Sequence, residues 1–544
     1  MGFNRRKFLG IVVMACCLHC LSPIFGFSQS SNSKVSHKLT EQKISEAADA
    51  ITSGDLAQAE KLLNEILATE PRNALAHGLR GIVFDRRNDL TSAEKHFALA
   101  AKLSPKTAEL RNNYGAVLVK LNRPAEAARE FTASLALNPD QISAIVNLAQ
   151  IRITENDLTG ARTLFERAKS ISPQTDVLRA LVLTSLMMNE PQQAAIEFKE
   201  YFAKAEATIP SLDATGRQKD FALGEALLSK NLLDEAQKEL EYVLSSNGDD
   251  TDTIVLLSRV YLRQQNIAAA GTLLESTVQK GTADGKIYLA LTEVYQSGGY
   301  IENAIPVMRR AIEKEPKNEY YRLKYGLLLV DSKAPAAAVL RLEESLKEFP
   351  RSSRLWVALG IAQQADGKSI DSRVSFERAL QIDPASVVAL AYLATAQIEQ
   401  AEYAEANKSY RRALAVDEKN AVLHYLVADT MLKIPDSNPV EIRRHLERAV
   451  KLDTKVAQAH FALGKLYARD ENWMKALNEF EQTVTHAPEL AEAYYQMGRM
   501  LARLKRTDEA KIAFAKHKKL NETQSAQKET HRQDLVRRLA DVRF

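Results

Sequence analysis

Residues that could do chemistry are common in this chain, but few are arranged for it. Gly367-Lys368-Ser369 looks like the end of a phosphate-binding loop, yet its earlier glycine, Gly360, is separated from Gly367 by six residues rather than four. No strand precedes it, so the stretch reads as a turn. The chain's ten histidines are scattered, and His77, His424 and His460 read as packing residues rather than ligands. Carboxylates fall in helix-surface patterns such as Glu343-Glu344, and no pair stands out as an acid/base couple. There is no nucleophile elbow, no zinc-binding H-E-x-x-H and no dinucleotide G-x-G-x-x-G. The three cysteines, Cys16, Cys17 and Cys20, all stand near the start. The body therefore has no disulfide, thiolate metal site or cysteine nucleophile. These residues predict a protein that is not an enzyme and holds no metal and no cofactor.

The start of the chain predicts export. Arg5, Arg6 and Lys7 are followed by an uncharged run from Gly10 to Phe27, and Gly26-Phe27-Ser28 supplies the small residues a signal peptidase needs before Gln29. Residues 1–28 are read as a leader and 29–39 as a flexible tether. Three routes stay open. Asn4 to Gly10 resembles a twin-arginine motif with departures at both ends. Val13-Met14-Ala15-Cys16 resembles a lipobox, which would lipidate Cys16. The run is also near the lower length for an uncleaved anchor.

The elements that position everything else come from a repeat. With 21 glycines and 16 prolines in 544 residues, the chain has few breakers, which fits a mostly helical protein. Pro71, Pro105, Pro139 and Pro173 are 34 residues apart, as are Pro316, Pro350 and Pro384. One register runs from Thr40 to about Thr523 in fourteen copies, and a fixed period of this size marks a solenoid. With the proline at position 32 of each copy, position 20 is small in thirteen of fourteen, from Ala59 to Ala510. Position 24 is always large, from Leu63 to Phe514, and position 8 is glycine in seven copies, including Gly115, Gly360 and Gly464. Each copy then holds two amphipathic helices that approach closely at the small residues, with the proline ending the second. One hairpin cannot bury its apolar face alone, but stacked neighbours can.

This pattern resembles the tetratricopeptide repeat family, clearest in Trp356, Leu359, Gly360, Phe376, Ala379 and Pro384, and again in Leu463, Gly464, Tyr467, Ala476, Phe480 and Pro488. The resemblance covers about 485 of 544 residues. It implies an all-α, right-handed superhelical solenoid of helix-turn-helix repeats, with a concave groove lined mainly by the first helix of each pair. The expected organisation is repeats one to five over residues 40–208 and a loop and hinge at 209–216, which carries Pro210 and Gly216. Repeats six to fourteen follow over 217–524, then a C-terminal capping helix over 525–544.

In that frame positions 2, 5, 9, 12 and 13 face the groove. The last three repeats place Tyr425, Phe461 and Tyr495 at position 5, Lys465 and Arg499 at position 9, and Lys433, Arg469 and Arg503 at position 13. An aromatic row beside a basic row is a common make-up for a binding surface, and it favours an acidic peptide, a free carboxylate or an anionic polysaccharide. From Leu501 to Phe544 there are 12 basic and 6 acidic residues. In the front half Asn113 and Asn147 share position 6, where the resemblance implies a hold on a peptide backbone. A formal charge of +4 gives no nucleic-acid signal. The expected function is a non-catalytic scaffold of the bacterial envelope that binds a protein or peptide segment. It would touch the membrane only through its leader or a lipid anchor. Exported members of the family often serve secretion, pilus or polysaccharide-export machinery. A polysaccharide- or peptidoglycan-binding role and an enzyme's specificity arm are the alternatives.

Overall fold

A computed structural model describes residues 34–206, 214–246 and 248–523. Among these residues the regular structure is helical throughout, in twenty-eight helices from α1 (Lys34–Ser53) and α2 (Leu56–Thr69) to α27 (Ala491–Arg503) and α28 (Thr507–Thr523). Odd-numbered helices are the first of a pair and even-numbered helices the second. The chain divides into two compact halves, Met1–Ala283 and Asp284–Phe544.

The pairs form as the repeat pattern predicts. The alanines at position 20, such as Ala93, Ala127 and Ala338, are fully buried, and Phe131, Phe165, Phe376 and Phe480 at position 24 are fully buried beside them. Position 8 is where the helices touch. A Cβ built on Gly115 would lie 2.6 Å from the Phe131 ring, and one on Gly360 would lie 2.4 Å from the Phe376 ring. The second helix stops just before its proline: α4 (Leu90–Leu103) ends two residues ahead of Pro105.

The turn inside each pair has its own signature. Position 15 takes a left-handed backbone at Gly54, Asn88, Asn122, Asn156, Asn189 and Asn231, and at the equivalent places up to Lys505. Asparagine and glycine tolerate that region best. The next residue is often an aspartate that caps the second helix: Asp89 accepts from the Ser92 N–H and Asp157 from the Gly160 N–H. Gly367 has φ +76°, so Gly367-Lys368-Ser369 is this turn, and Lys368 pairs with Asp366 at 2.8 Å.

Within each half the first helices also pack on one another, as α3 (Ala74–Arg86) does on α5 (Ala108–Lys120), and α17 (Glu319–Asp331) on α19 (Ser353–Ala365). The second helices do so to a similar extent only at α10 (Pro191–Glu206) and α12 (Leu233–Ser246). The first helices therefore lie on the inner side of the array.

Three boundaries differ from the expected ones or fall elsewhere. Helix α1 starts at Lys34, so residues 34–39 of the expected tether are helical; neither proline nor glycine interrupts them. Helix α11 (Ala214–Ser229) takes in the last three residues of the expected 209–216 loop. The leader at 1–28, Cys16 and the expected capping helix at 525–544 lie outside the described residues.

Candidate interaction surface

The inner face is stitched by side chains near the ends of successive first helices. Lys120 on α5 pairs with Asp85 on α3 at 2.6 Å, and Arg86 on α3 donates to the Ile51 carbonyl. In the second half Gln364 on α19 donates to Glu399 of α21 (Val387–Glu399) at 2.6 Å.

The predicted basic and aromatic residues occupy the last three pairs in two arrangements. In the first, a position 9 cation covers the position 5 ring of its own helix. On α25 (Ala457–Arg469) the Lys465 Nζ lies 5.3 Å from the Phe461 ring centre, and on α27 Arg499 lies 6.0 Å from that of Tyr495. These rings lean on the second helix of their pair: Phe461 on Phe480 at 5.8 Å, and Tyr495 on Phe514 at 5.9 Å and His517 at 5.3 Å. In the second, a position 13 cation crosses to the previous pair. Arg503 covers Trp473 at 5.5 Å, and Lys433 lies 5.8 Å from Tyr403 and 3.4 Å from Asp429. Lys465, Arg469, Arg499 and Arg503 are exposed, while Tyr425 is half-buried against the apolar core of the second half. The cations stand over the rings, of which Phe461 is half-buried and Tyr495 is exposed. The position 17 rings, Trp473 and Tyr403, were missed in the sequence because they belong to the second helix.

The asparagines meet differently. Asn147 is buried, and its Nδ2 reaches Asn112 Oδ1 at 3.4 Å, so the structure brings it to Asn112 rather than to Asn113. Position 6 of one first helix faces position 5 of the helix before it. Asn113, the next residue on α5, is half-buried.

The position 4 histidines have a defined task. His77, His424 and His460 each set Nε2 on the carbonyl six residues earlier, that of Pro71, Glu418 and Thr454, at 3.0–3.2 Å. Arg111, Arg322 and Trp356 do the same to the carbonyls of Pro105, Pro316 and Pro350. A carbonyl only accepts, so Nε2 carries the proton; in His77 and His424 Nδ1 is left as an acceptor, whereas His460 Nδ1 faces the Glu479 carboxylate at 2.6 Å. His77 Nδ1 then takes the proton of His96 Nδ1 at 3.0 Å, and His424 Nδ1 that of His445 at 2.9 Å. Burial, helped by Arg80 and His77, pushes His96 down to about 4. Burial, helped by His424, does the same to His445. His96 and His445 are therefore neutral at ordinary pH.

Among the described residues no three His, Cys, Asp or Glu side chains form a group able to hold a metal ion, and no helix is long and apolar enough to cross a membrane. A surface hollow of about 830 Å³ opens beside Glu315, Asn318, Tyr320 and Arg354. It lies away from the basic rows, and Lys317 and Arg354 offset Glu315 and Glu319.

Two tetratricopeptide repeat family models match this chain, one over residues 45–108 and 461–524, the other over 118–183. The chain carries tetratricopeptide repeats. An uncharacterized protein of Aquifex aeolicus is 24% identical over 49% of this chain and 34% of its own length. Cellulose synthase operon protein C of Pseudomonas fluorescens is 23% identical over 44% of this chain and 20% of its own. The chain spans less than two thirds of the curated relatives it matches. Among solved structures, PilW, described as a widely conserved type IV pilus biogenesis factor, is 23% identical over 41% of this chain and 98% of that chain, with a TM-score of 0.35. The repeats in this chain extend beyond the matched segments, with the same buried position 20 and 24 residues from Ala59 to Ala476.

Proposed function

We propose that this protein is a non-catalytic interaction scaffold of the bacterial cell envelope, and that the inner face of its last three repeats holds an acidic segment of a partner protein. The observation that carries the reading is the exposed basic surface on adjacent first helices, with Lys465 and Arg499 steadied over Phe461 and Tyr495. A cation held over a ring is partly ordered before a partner arrives, so less side-chain freedom is lost on binding. A peptide is favoured over a sugar, because the ring faces a sugar would stack on already carry cations. The envelope assignment rests on Arg5 to Ser28 and is in keeping with the partial likeness to a cellulose synthase operon protein.

The test is a quadruple variant, Lys465→Glu, Arg469→Glu, Arg499→Glu and Arg503→Glu. It should weaken capture of an acidic peptide by about a hundredfold or more, since reversal turns attraction into repulsion. The helical signal and unfolding temperature should stay close to wild type, because all four side chains are exposed. Unchanged peptide capture would sink the groove reading. Retention by an anionic polysaccharide alone would move the assignment to the glycan alternative. The N-terminal peptide of the native protein, starting at Gln29 or at a lipidated Cys16, reports its attachment.

A further inference from the structure

Four helices of the first half meet around a buried, charged cluster. Arg179 stands on α9 (Thr175–Met187), Tyr201 on α10, Asp220 on α11 and Glu239 on α12. Tyr201, Asp220 and Glu239 are fully buried and Arg179 is 7% exposed. The place is structurally distinct, because here the second helices α10 and α12 also pack on one another. Leu178, Val182, Phe198, Leu223 and Leu240 share one apolar cluster with Tyr201.

The distances locate the protons. Arg179 Nη2 is 2.7 Å from Asp220 Oδ1. The Tyr201 hydroxyl is 3.1 Å from Asp220 Oδ1 and 2.7 Å from Glu239 Oε1. A phenol has one proton and donates to one oxygen only. The other oxygen must bring a proton of its own, or two electron-rich atoms meet unshielded. Asp220 has the Arg179 guanidinium to answer its charge. Glu239 has no cation within ion-pair distance among the described residues, and its Oε2 is buried without a hydrogen-bond partner. An ionised Glu239 would be a second negative charge against one arginine in a buried site, which is strongly unfavourable.

We propose that a proton-dependent lock joins the fifth and sixth helix pairs: a neutral Glu239 carboxylic acid donates to Tyr201, Tyr201 donates to ionised Asp220, and Arg179 balances that charge, so that loss of the proton loosens this junction before its neighbours. The groups around the lock are consistent with it. Burial, reinforced by the Asp220 charge, holds the Glu239 carboxyl well above the usual range. Burial also raises Asp220, with Arg179 pulling against it. Asp176 on α9 bonds Arg179 from the solvent side and is itself 3.5 Å from Lys219 of α11. Glu197, one turn before Tyr201, is taken up by Arg162 of α8 (Leu158–Ile171) at 2.9 Å and by Ser185. On α12, Tyr242 is raised by its own burial and the nearby carboxyls, so it adds no charge. Helix α13 (Thr251–Arg263), packed on α12, brings Leu256, Leu257 and Val260.

The sign of the effect follows. The closed junction keeps a proton that the open one releases, so the closed state is fully favoured below the ordinary carboxyl range. Between that range and the raised value, opening becomes tenfold easier per pH unit, and it levels off above. Hydrogen exchange of the full chain, corrected for intrinsic rates, over about pH 5 to about pH 9 reads this directly. Peptides of α10, α11 and α12 should lose about tenfold protection per pH unit over part of that span, while those of α5 stay level. Glu239→Gln keeps a neutral donor in the same place and should flatten the profile. A level wild-type profile, or an equal slope in E239Q, overturns the lock. A second measurement needs no variant. In neutral heavy water the infrared spectrum of the wild type should show the carbonyl band of a protonated carboxylic acid, one group among the chain's 69 acidic side chains; absence of the band overturns the assignment.

Discussion

At the scale of single residues, the tightest constraint is the glycine at position 8. Gly360 has no room for a methyl group, because Phe376 lies 2.4 Å from where the Cβ would be, and Phe376 is fully buried. Gly360→Ala should therefore destabilise the second half by about 1–3 kcal/mol, through displacement of a packed ring. A urea unfolding curve with a lower midpoint and an unchanged slope is the expected result; an unmoved midpoint means that Phe376 swings aside without loss. This contact was legible in the sequence, since Gly at 8 and a large residue at 24 recur together. The left-handed residue at position 15 was legible too but is not an apolar signal. The asparagine-aspartate steps at Asn88-Asp89 and Asn156-Asp157 carry it, one residue for the turn and one for the cap.

At the scale of the helix pair, the side chain at position 4 ties each first helix to the chain that leads into it. His, Arg and Trp all serve, because each offers an N–H at the end of a reach long enough to find the carbonyl. The sequence shows these residues at one position but not their common partner, since a backbone carbonyl leaves no trace in residue types. Where the position is histidine with a second histidine opposite, acid should loosen the pair. His96 and His445 sit at about 4 when folded, so their contribution is complete above the ordinary histidine value and is lost as pH falls through about 4. Exchange in α3, α4, α23 (Ala421–Met431) and α24 (Pro439–Leu452) should accelerate over that span, more than in α19 and α20 (Ser369–Ile382), which have Trp356 at position 4. Equal protection across the span would mean that the rings are not held neutral. The groove cations divide along the same line. Lys465 and Arg499 stand on rings four residues back, which spacing along one helix reveals, whereas Arg503 on Trp473 joins two pairs.

At the scale of the whole molecule, the period fixed the number and size of the pairs, because every copy must satisfy the same packing at positions 8, 20 and 24. The division between the compact halves falls between Ala283 and Asp284, in a stretch that carries Gly281 with φ +79° and Gly285. Helix α11, which takes in the end of the expected 209–216 loop, is bound to α9 by Arg179 and Asp220 at 2.7 Å. Since each pair touches mainly its neighbours, unfolding should not be all-or-none. The calorimetric enthalpy is expected to exceed the van't Hoff enthalpy for the full chain; equal values would mark one cooperative body.

The packing of first helices on one another, with little equivalent contact between second helices, gives each half a mechanical bias. Along the inner edge, pulling neighbouring pairs apart must break hydrogen bonds such as that between Gln364 and Glu399. Along the outer edge the helices pack less closely, and ion pairs such as Lys169 with Glu200 and Arg411 with Glu441 bridge them. Tension is then met by close helix packing along the inner edge and by exposed, salt-sensitive ion pairs along the outer one, and a partner lying along the inner helices rests on the edge whose hold does not fade with salt.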